Sequence, residues 1–188
     1  TLLPAVRSNI PVYVGSSKAP QDGGTWVTRD PQPRPTFRAI ALRRDQTLLT
    51  LSSLNMLHAQ GFLAKVFNIL AKYKVSVDTI TTSEVSVALT LDKTGSASSG
   101  ADLLSNELLT ELSELCTVKV DTGLALVALI GNDLHISAGI AKRIFTALER
   151  YNVRMISYGA STNNICTLVH SSQADDVVRE LHAELFEK

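Results

Sequence analysis

The sequence predicts an α+β protein made of two copies of a β-α-β-β-α-β unit, with the first copy inserted into the second. Three observations lead to this fold class. Residues 61–73 and 139–151 are similar at a spacing of 78 residues, strands and amphipathic helices alternate beyond residue 36, and the second copy lacks one strand. A repeat of this length is a duplicated small domain and is too long for one turn of a solenoid.

The repeat can be followed residue by residue, since both copies keep similar residues at matching positions. The matched pairs are Gly61/Gly139, Val66/Ile144, Phe67/Phe145, Leu70/Leu148, Tyr73/Tyr151 and Val75/Val153. Residues that both copies keep are expected to serve the fold. A chemical group that only one copy carries indicates a site.

The first 36 residues precede the repeat. Residues 1–27 contain two short β-like runs, at 10–14 and 23–27, and residues 28–36 hold three prolines, which suits an extended linker. Because the chain opens in mid-pattern without Met, we expect it to be the C-terminal part of a longer protein.

The first copy is predicted to span residues 47–121. Its elements are a strand at 47–52, a helix at 62–74, strands at 75–81 and 85–91, a helix at 101–115 and a strand at 116–120. Apolar residues recur at helical spacing along the first helix and predict one buried stripe. They are Leu63, Val66, Phe67 and Leu70. This order of elements is the ferredoxin-like plan, an antiparallel sheet with both helices on one face.

The second copy is predicted to contain a strand at 124–130, a helix at 140–151, strands at 153–158 and 165–169, and a last helix at 174–186. It has no closing strand, whereas a strand at 37–42 is spare and is separated from the first copy by the polar residues 43–46. We therefore expect the spare strand to complete the second sheet, so that the second copy consists of residues 37–43 plus 123–188. This arrangement would also cover an exposed sheet edge.

Composition argues against several classes of protein. Lys and Arg number 18, as do Asp and Glu, so a broad positive surface for nucleic acid or anionic membrane is not expected. The longest apolar run, residues 124–130, is far shorter than the roughly 20 residues that span a bilayer. No secretory signal opens the chain, and Cys116 and Cys166 lack metal-ligand spacing, so buried thiols in a reducing cytoplasm are expected.

Two acidic residues of the first copy have no acidic counterpart in the second. Asp78 stands where the second copy has Ile156, and Glu84 stands where it has a threonine. Gly61 precedes a helix whose first backbone N–H groups are suited to a carboxylate. One carboxylate-binding helix end and two acidic side chains fit a diamino acid such as free lysine. The alternative, that both acids are solvent-facing turn residues, stays open.

For catalysis the sequence offers no phosphate loop, nucleophile elbow or metal-binding His/Cys cluster, which favours a sensor over an enzyme active site. An RNA-binding module of the same fold is disfavoured, because aromatic residues make up 5% of the chain and its net charge is zero. A domain pair that only holds a dimer together, without binding a ligand, remains an alternative.

Residues 53–58, 61–64 and 77–86 resemble the tandem ACT domains of aspartate kinase, in particular its lysine-sensitive bacterial form. Residues 12–17 and 23–25 are similar to the last stretch of the amino-acid kinase domain in that family, so residues 1–27 are interpreted as its C-terminal remnant and 28–36 as a linker. The resemblance covers essentially the whole chain and implies two ferredoxin-like ACT domains, the first inserted into the second.

The resemblance also implies a function. Lysine would bind the first ACT domain at an ACT–ACT dimer interface and inhibit an upstream kinase, which converts ATP and L-aspartate into 4-phospho-L-aspartate. ATP and Mg would bind only in that kinase domain, so we expect this segment to carry no catalytic residue, cofactor or metal. The expected partners are L-lysine, the kinase domain and a second copy in a cytoplasmic homodimer or tetramer, without nucleic acid or membrane. A sensor for another amino acid, such as threonine, is an alternative.

Carried over residue by residue, the resemblance implies a lysine site made of Met56, Ala59, Gly61, Phe62, Leu63, Ser76, Val77, Asp78, Thr82, Ser83, Glu84 and Val85. Ala59 departs from the family pattern, which has serine at this position. Any side-chain hydrogen bond from that position is therefore lost, while a backbone contact would survive.

Overall fold

A computed structural model of the chain describes residues 2–56, 60–92 and 104–187. The chain divides into two compact units, Thr1–Pro35 and Thr36–Lys188. In the first unit, a short helix α1 (Leu3–Arg7) precedes a hairpin of strands β1 (Val12–Gly15) and β2 (Gly24–Val27). The sequence predicts both strands but not the helix.

The second unit contains the repeat. Its elements are β3 (Phe37–Ser52), α2 (Phe62–Lys72), β4 (Ser76–Thr82), β5 (Ser86–Asp92), α3 (Asn106–Ser113), β6 (Thr117–Gly131), α4 (Ile140–Ala147), β7 (Met155–Ser157), β8 (Asn164–His170) and α5 (Ala174–Phe186). Helix α5 agrees with its prediction at both ends, and the other three helices lie within their predicted ranges. The predicted loop at 93–100 and the predicted start of α3 at 101–103 lie outside the described residues.

All strands of the second unit form one antiparallel sheet in the order β4-β5-β3-β6-β8-β7. The prediction of separate strands at 37–42 and 47–52 is wrong, because β3 runs through the polar residues between them. Asp45 has a φ of 55°, and the pairing with β6 shifts register between Arg43 and Gln46, so the interruption is a bulge within one strand. The predicted strands at 116–120 and 124–130 are likewise one strand, β6, which contains Gly123 at a φ of 68°.

The two long strands belong to both copies of the repeat. The N-terminal half of β3 pairs with the C-terminal half of β6, from Phe37 opposite Gly131 to Arg43 opposite Leu126. The halves of the sheet therefore have the orders β4-β5-β3-β6 and β3-β6-β8-β7, and each is the strand order of a ferredoxin-like unit. In the second half, residues 37–43 lie where a closing strand would lie, and this pairing supports a nested arrangement of the two copies.

The repeat is also visible in backbone geometry. The Ser53 N–H donates to the Val85 carbonyl at 2.9 Å, and 78 residues later the Gly131 N–H donates to the Asn163 carbonyl at 2.9 Å. The two copies therefore close the end of the sheet in the same way.

Three apolar cores follow from the alternation of side chains along the strands. On β3, Leu49 and Leu51 face α2 and α3, and the equivalent face of the second half is covered by α4 and α5. Leu48 points to the opposite face, where the third core lies. That core consists of Leu48, Leu124, Leu126, Met155, Cys166 and Leu168. Because it joins Leu48 of the first half to residues of the second, the helix-free faces of the two halves pack on each other.

The predicted stripe on the first repeat helix is only partly correct. Val66, Ile69 and Leu70 of α2 are buried, whereas Leu63 and Phe67 are each 38% exposed. Leu63 and Phe67 lie one turn apart on the side of the helix that is turned away from the sheet, so periodicity alone does not separate them from the core.

Candidate functional site

The N-terminus of α2 is the first part of the predicted lysine site. Gly61 adopts a left-handed conformation with a φ of 80°, and no described side chain caps the helix. Phe62 packs against the core of the first half, which contains Leu49 and Leu51, and Leu63 is 38% exposed. The first backbone N–H groups of an uncapped helix carry partial positive charge and are suited to a carboxylate.

The turn between β4 and β5 is the second part. The Ser83 hydroxyl lies 2.7 Å from the Ser86 hydroxyl and accepts the Ser86 N–H at 3.1 Å, so it holds the turn together. Glu84 is exposed on this turn, and among the described residues no cation forms an ion pair with it. The Val85 carbonyl binds the Ser53 N–H, which ties the turn to the segment that leads toward Met56 and α2.

Asp78 is in a different environment from Glu84. Its carboxylate Oδ2 accepts a hydrogen bond from Arg43 Nη1 at 2.7 Å, and its side chain is 27% exposed. Burial is the main cause that raises the pKa of the Cys166 thiol, the Asp78 charge raises that pKa further, and the Arg43 charge lowers it. Both charges therefore lie beside the third core, on the helix-free face of the sheet.

The structure brings some predicted site residues together and separates others. Met56, Gly61, Phe62, Leu63, Thr82, Ser83, Glu84 and Val85 belong to one end of the first half-sheet, and Ser76, Val77 and Asp78 lie at the start of β4. Thr82 lies four positions after Asp78 along β4, or about 13 Å away at the rise of a β-strand. Ala59 lies outside the described residues. Within one chain, Asp78 thus forms a group separate from the turn and the helix end.

A cavity of about 530 Å³ opens at the same end of the sheet as the turn. Its lining includes Ser53, Asn55, Val85, Glu114 and Cys116, of which the sequence singles out only Val85 as a site residue. The other four come from the two ends of the first copy, so no local pattern in the sequence indicates that they share a cavity.

Arg43 is a residue near the site that sequence reasoning did not connect with it, because the polar residues 43–46 are interpreted only as a break between two predicted strands. Its partner Asp78 is 35 positions away in sequence, and only the pairing of β3 with its neighbours brings the two together. In the described part of the chain, no group of three or more His, Cys, Asp or Glu residues could hold a metal ion. None of the helices described is long and apolar enough to span a membrane.

Comparison with known proteins identifies the family to which this fold belongs. Residues 127–185 match the family model of the ACT domain, so the fold is that of an ACT-type regulatory domain. A C-terminal regulatory domain assigned to aspartate kinase from Porphyromonas gingivalis W83 is 32% identical, with a TM-score of 0.66 over 79% of this chain and 96% of that one. The chain belongs to the aspartate kinase family and corresponds to its C-terminal ACT regulatory region.

Two further matches, one to a sequence and one to a solved structure, cover nearly the whole chain. The lysine-sensitive aspartokinase 3 of Escherichia coli K12 is 64% identical over 187 residues, which are 100% of this chain and 42% of that protein. The structure of E. coli aspartokinase III in complex with lysine and aspartate, in the T-state, matches with 62% identity and a TM-score of 0.88 over 98% of this chain and 41% of that one. The chain thus spans about two fifths of the length of these relatives.

Proposed function

We propose that this chain is the lysine-sensing part of an aspartate kinase, and that bound L-lysine inhibits the kinase activity carried by the rest of that enzyme. The observation that carries the proposal is the asymmetry of the repeat. The first copy has Asp78 and Glu84, whereas the second has Ile156 and Thr162 at the same positions. Both copies nevertheless keep the uncapped helix that follows a left-handed glycine. The first copy alone therefore combines a carboxylate-binding helix end with two acids for ammonium groups.

We further propose that the site is completed in a cytoplasmic homodimer formed through the first copy. Asp78 is separated from the turn at 83–85 along an end strand of the sheet, so two antiparallel copies of β4 would place the start of one beside the end of the other. Four large apolar side chains around the predicted site are 36–40% exposed, as expected for a surface that a partner covers. They are Leu63, Phe67, Ile80 and Val85. A tetramer would need a second interface.

The proposed domain boundaries are 1–27 for the end of the kinase domain, 28–36 for a linker, 47–121 for the sensing ACT domain, and 37–43 plus 123–188 for the second. The pairing of residues 37–43 with the C-terminal half of β6 supports the last assignment. Inhibition then requires that lysine binds the inactive arrangement of the enzyme better than the active one. Typical allosteric couplings are about 1–3 kcal/mol.

Calorimetric titration of the chain with lysine, threonine and methionine tests the proposal. Lysine is expected to bind with the highest affinity. Asp78→Asn or Glu84→Gln should weaken lysine binding at least about tenfold, since a hydrogen bond to a charged group contributes about 1.5–3 kcal/mol. Asp121→Asn is the matched control, because Asp121 also pairs with an arginine, Arg154, at 2.9 Å but lies outside the site. Binding of lysine no tighter than that of threonine would refute the assignment of lysine as the ligand.

The second candidate, an ACT pair that only holds a dimer together, is favoured by the same exposed apolar side chains. A thermal-shift series with amino acids separates the two functions. A ligand that binds only the folded state raises the unfolding midpoint, whereas a purely structural dimer shows no ligand-dependent shift.

A further inference from the structure

We propose that Arg43 is a resident cation of the lysine site, which holds the Asp78 carboxylate in the unliganded chain and competes with the ammonium group of the ligand. This inference rests on the proposed function and names a residue that sets the sensitivity of the sensor. The observation behind it is the 2.7 Å hydrogen bond from Arg43 Nη1 to Asp78 Oδ2. Glu84, the other acid of the site, has no such partner among the described residues.

The backbone of β3 fixes the position of Arg43. Arg43 is the last residue paired with β6 before the bulge, where it lies opposite Leu126, a residue of the third core. Three positions later, at the end of the bulge, Gln46 is 4% exposed, and its Nε2 donates to the Arg44 carbonyl at 3.0 Å. A buried side chain thus anchors the bulge from within, and Arg43 lies on the same face of the sheet as Asp78.

The neighbouring arginine provides a natural comparison. Arg44 directly follows Arg43, within the bulge, and is about as exposed, with side-chain exposures of 48% for Arg44 and 55% for Arg43. It pairs with Asp175 in the first turn of α5, at 2.5 Å, and not with a residue of the predicted site. The two arginines are therefore adjacent in sequence and carry the same charge, and they differ in which carboxylate they hold.

Competition follows from the charges. With Arg43 in place, the Asp78 carboxylate is largely neutralised, and an ammonium group that approaches it must take over or share its lone pairs and meets a positive charge nearby. Because the pair is partly exposed, its strength is expected to be that of a surface ion pair, which corresponds to roughly a two- to fivefold reduction in lysine affinity. Arg43 would thus keep the sensor from saturating at low lysine concentration.

The test is a calorimetric comparison of the full chain with Arg43→Gln and with Arg44→Gln as the matched control. Arg43→Gln is expected to bind lysine roughly two- to fivefold more tightly, and Arg44→Gln to bind as the unmodified chain does. Asp78→Asn should remove the gain, so that Arg43→Gln has no further effect in that background. Arg43→Lys, which keeps a cation there, should stay close to the unmodified affinity and serves if Arg43→Gln does not fold.

The other possible outcomes each contradict the inference, and they show whether the proposed function fails with it. Unchanged or weaker binding by Arg43→Gln overturns the inference while lysine binding by the unmodified chain keeps the proposed function. An equal gain in Arg44→Gln, or an undiminished gain with Asp78→Asn, also overturns it, because either result would point to overall charge and not to the Asp78 contact. If Arg43→Lys has to be used, a gain as large as fivefold would contradict competition by a cation at this position. If neither the unmodified chain nor any variant binds lysine, both the inference and the proposed function fail.

Discussion

Gly61 and Gly139 allow the fold and the site to be tested separately. Each is the N-cap of the first helix of its copy, with φ values of 80° and 82°, and in both cases an added Cβ would meet no atom within 4 Å. Alanine at either position therefore costs only the left-handed backbone conformation, about 1–2 kcal/mol. At roughly 2–4 °C per kcal/mol for a unit of this size, each variant is expected to unfold a few degrees below the unmodified chain.

The two substitutions should nevertheless differ in lysine binding. Gly61→Ala places a methyl group and a strained backbone at the helix end that is proposed to receive the ligand carboxylate, so lysine affinity should fall. Gly139→Ala should leave it unchanged, since the second copy lacks both acids. Urea unfolding measures the stability and calorimetry the binding. Equal binding by both variants would refute the placement of the site at α2, and clearly unequal stabilities would refute the backbone argument.

Three further predictions concern the fold. Leu168→Ala removes a fully buried side chain from the third core, which should lower the free energy of unfolding by about 2–5 kcal/mol. Both halves should then unfold together at a lower temperature, and separate transitions in calorimetry would contradict the shared core. Burial raises the pKa of both thiols, and because Cys166 is more buried than Cys116, iodoacetamide should modify it more slowly in the native chain, with equal rates in denaturant. A hydrogen bond from Lys72 is the main cause that lowers the pKa of Glu111. The ionised Glu111 carboxylate should therefore stabilise the fold at neutral pH, and this stabilisation should be lost as the pH falls through the lowered pKa. Glu111→Gln should flatten the acid limb of the stability profile, and an unchanged limb would exclude this contribution.

Local patterns predict the helices and most strands of this chain but not how the strands join. The helical spacing of the apolar residues in α5 and the short, mostly apolar run of β8 depend on neighbours a few residues away, so both are readable in the sequence. A bulge and a turn, by contrast, are formed by the same types of residue, so the sequence does not distinguish them. Asp45 and Gly123, both at positive φ, look like chain reversals until the partner strand is known.

The candidate site, like the fold, is only partly predictable from local patterns in the sequence. Comparison of the two copies is enough to select Asp78 and Glu84, because the duplication supplies its own reference. It does not reveal that Arg43 holds one of these acids. That contact depends on strand pairing across tens of residues, which leaves no periodic trace in the sequence.

A crystal structure of the chain grown with lysine would test most directly whether the first copy is the sensor. We predict lysine at the N-terminus of α2 and the turn at 83–85 of one protomer, with its carboxylate at the helix end. Its ammonium groups should face Glu84 of that protomer and the partner subunit's Asp78, which has exchanged Arg43 for the ligand. Lysine bound instead at the matching place in the second copy, beside Gly139 and Thr162, would contradict the division of roles between the two copies.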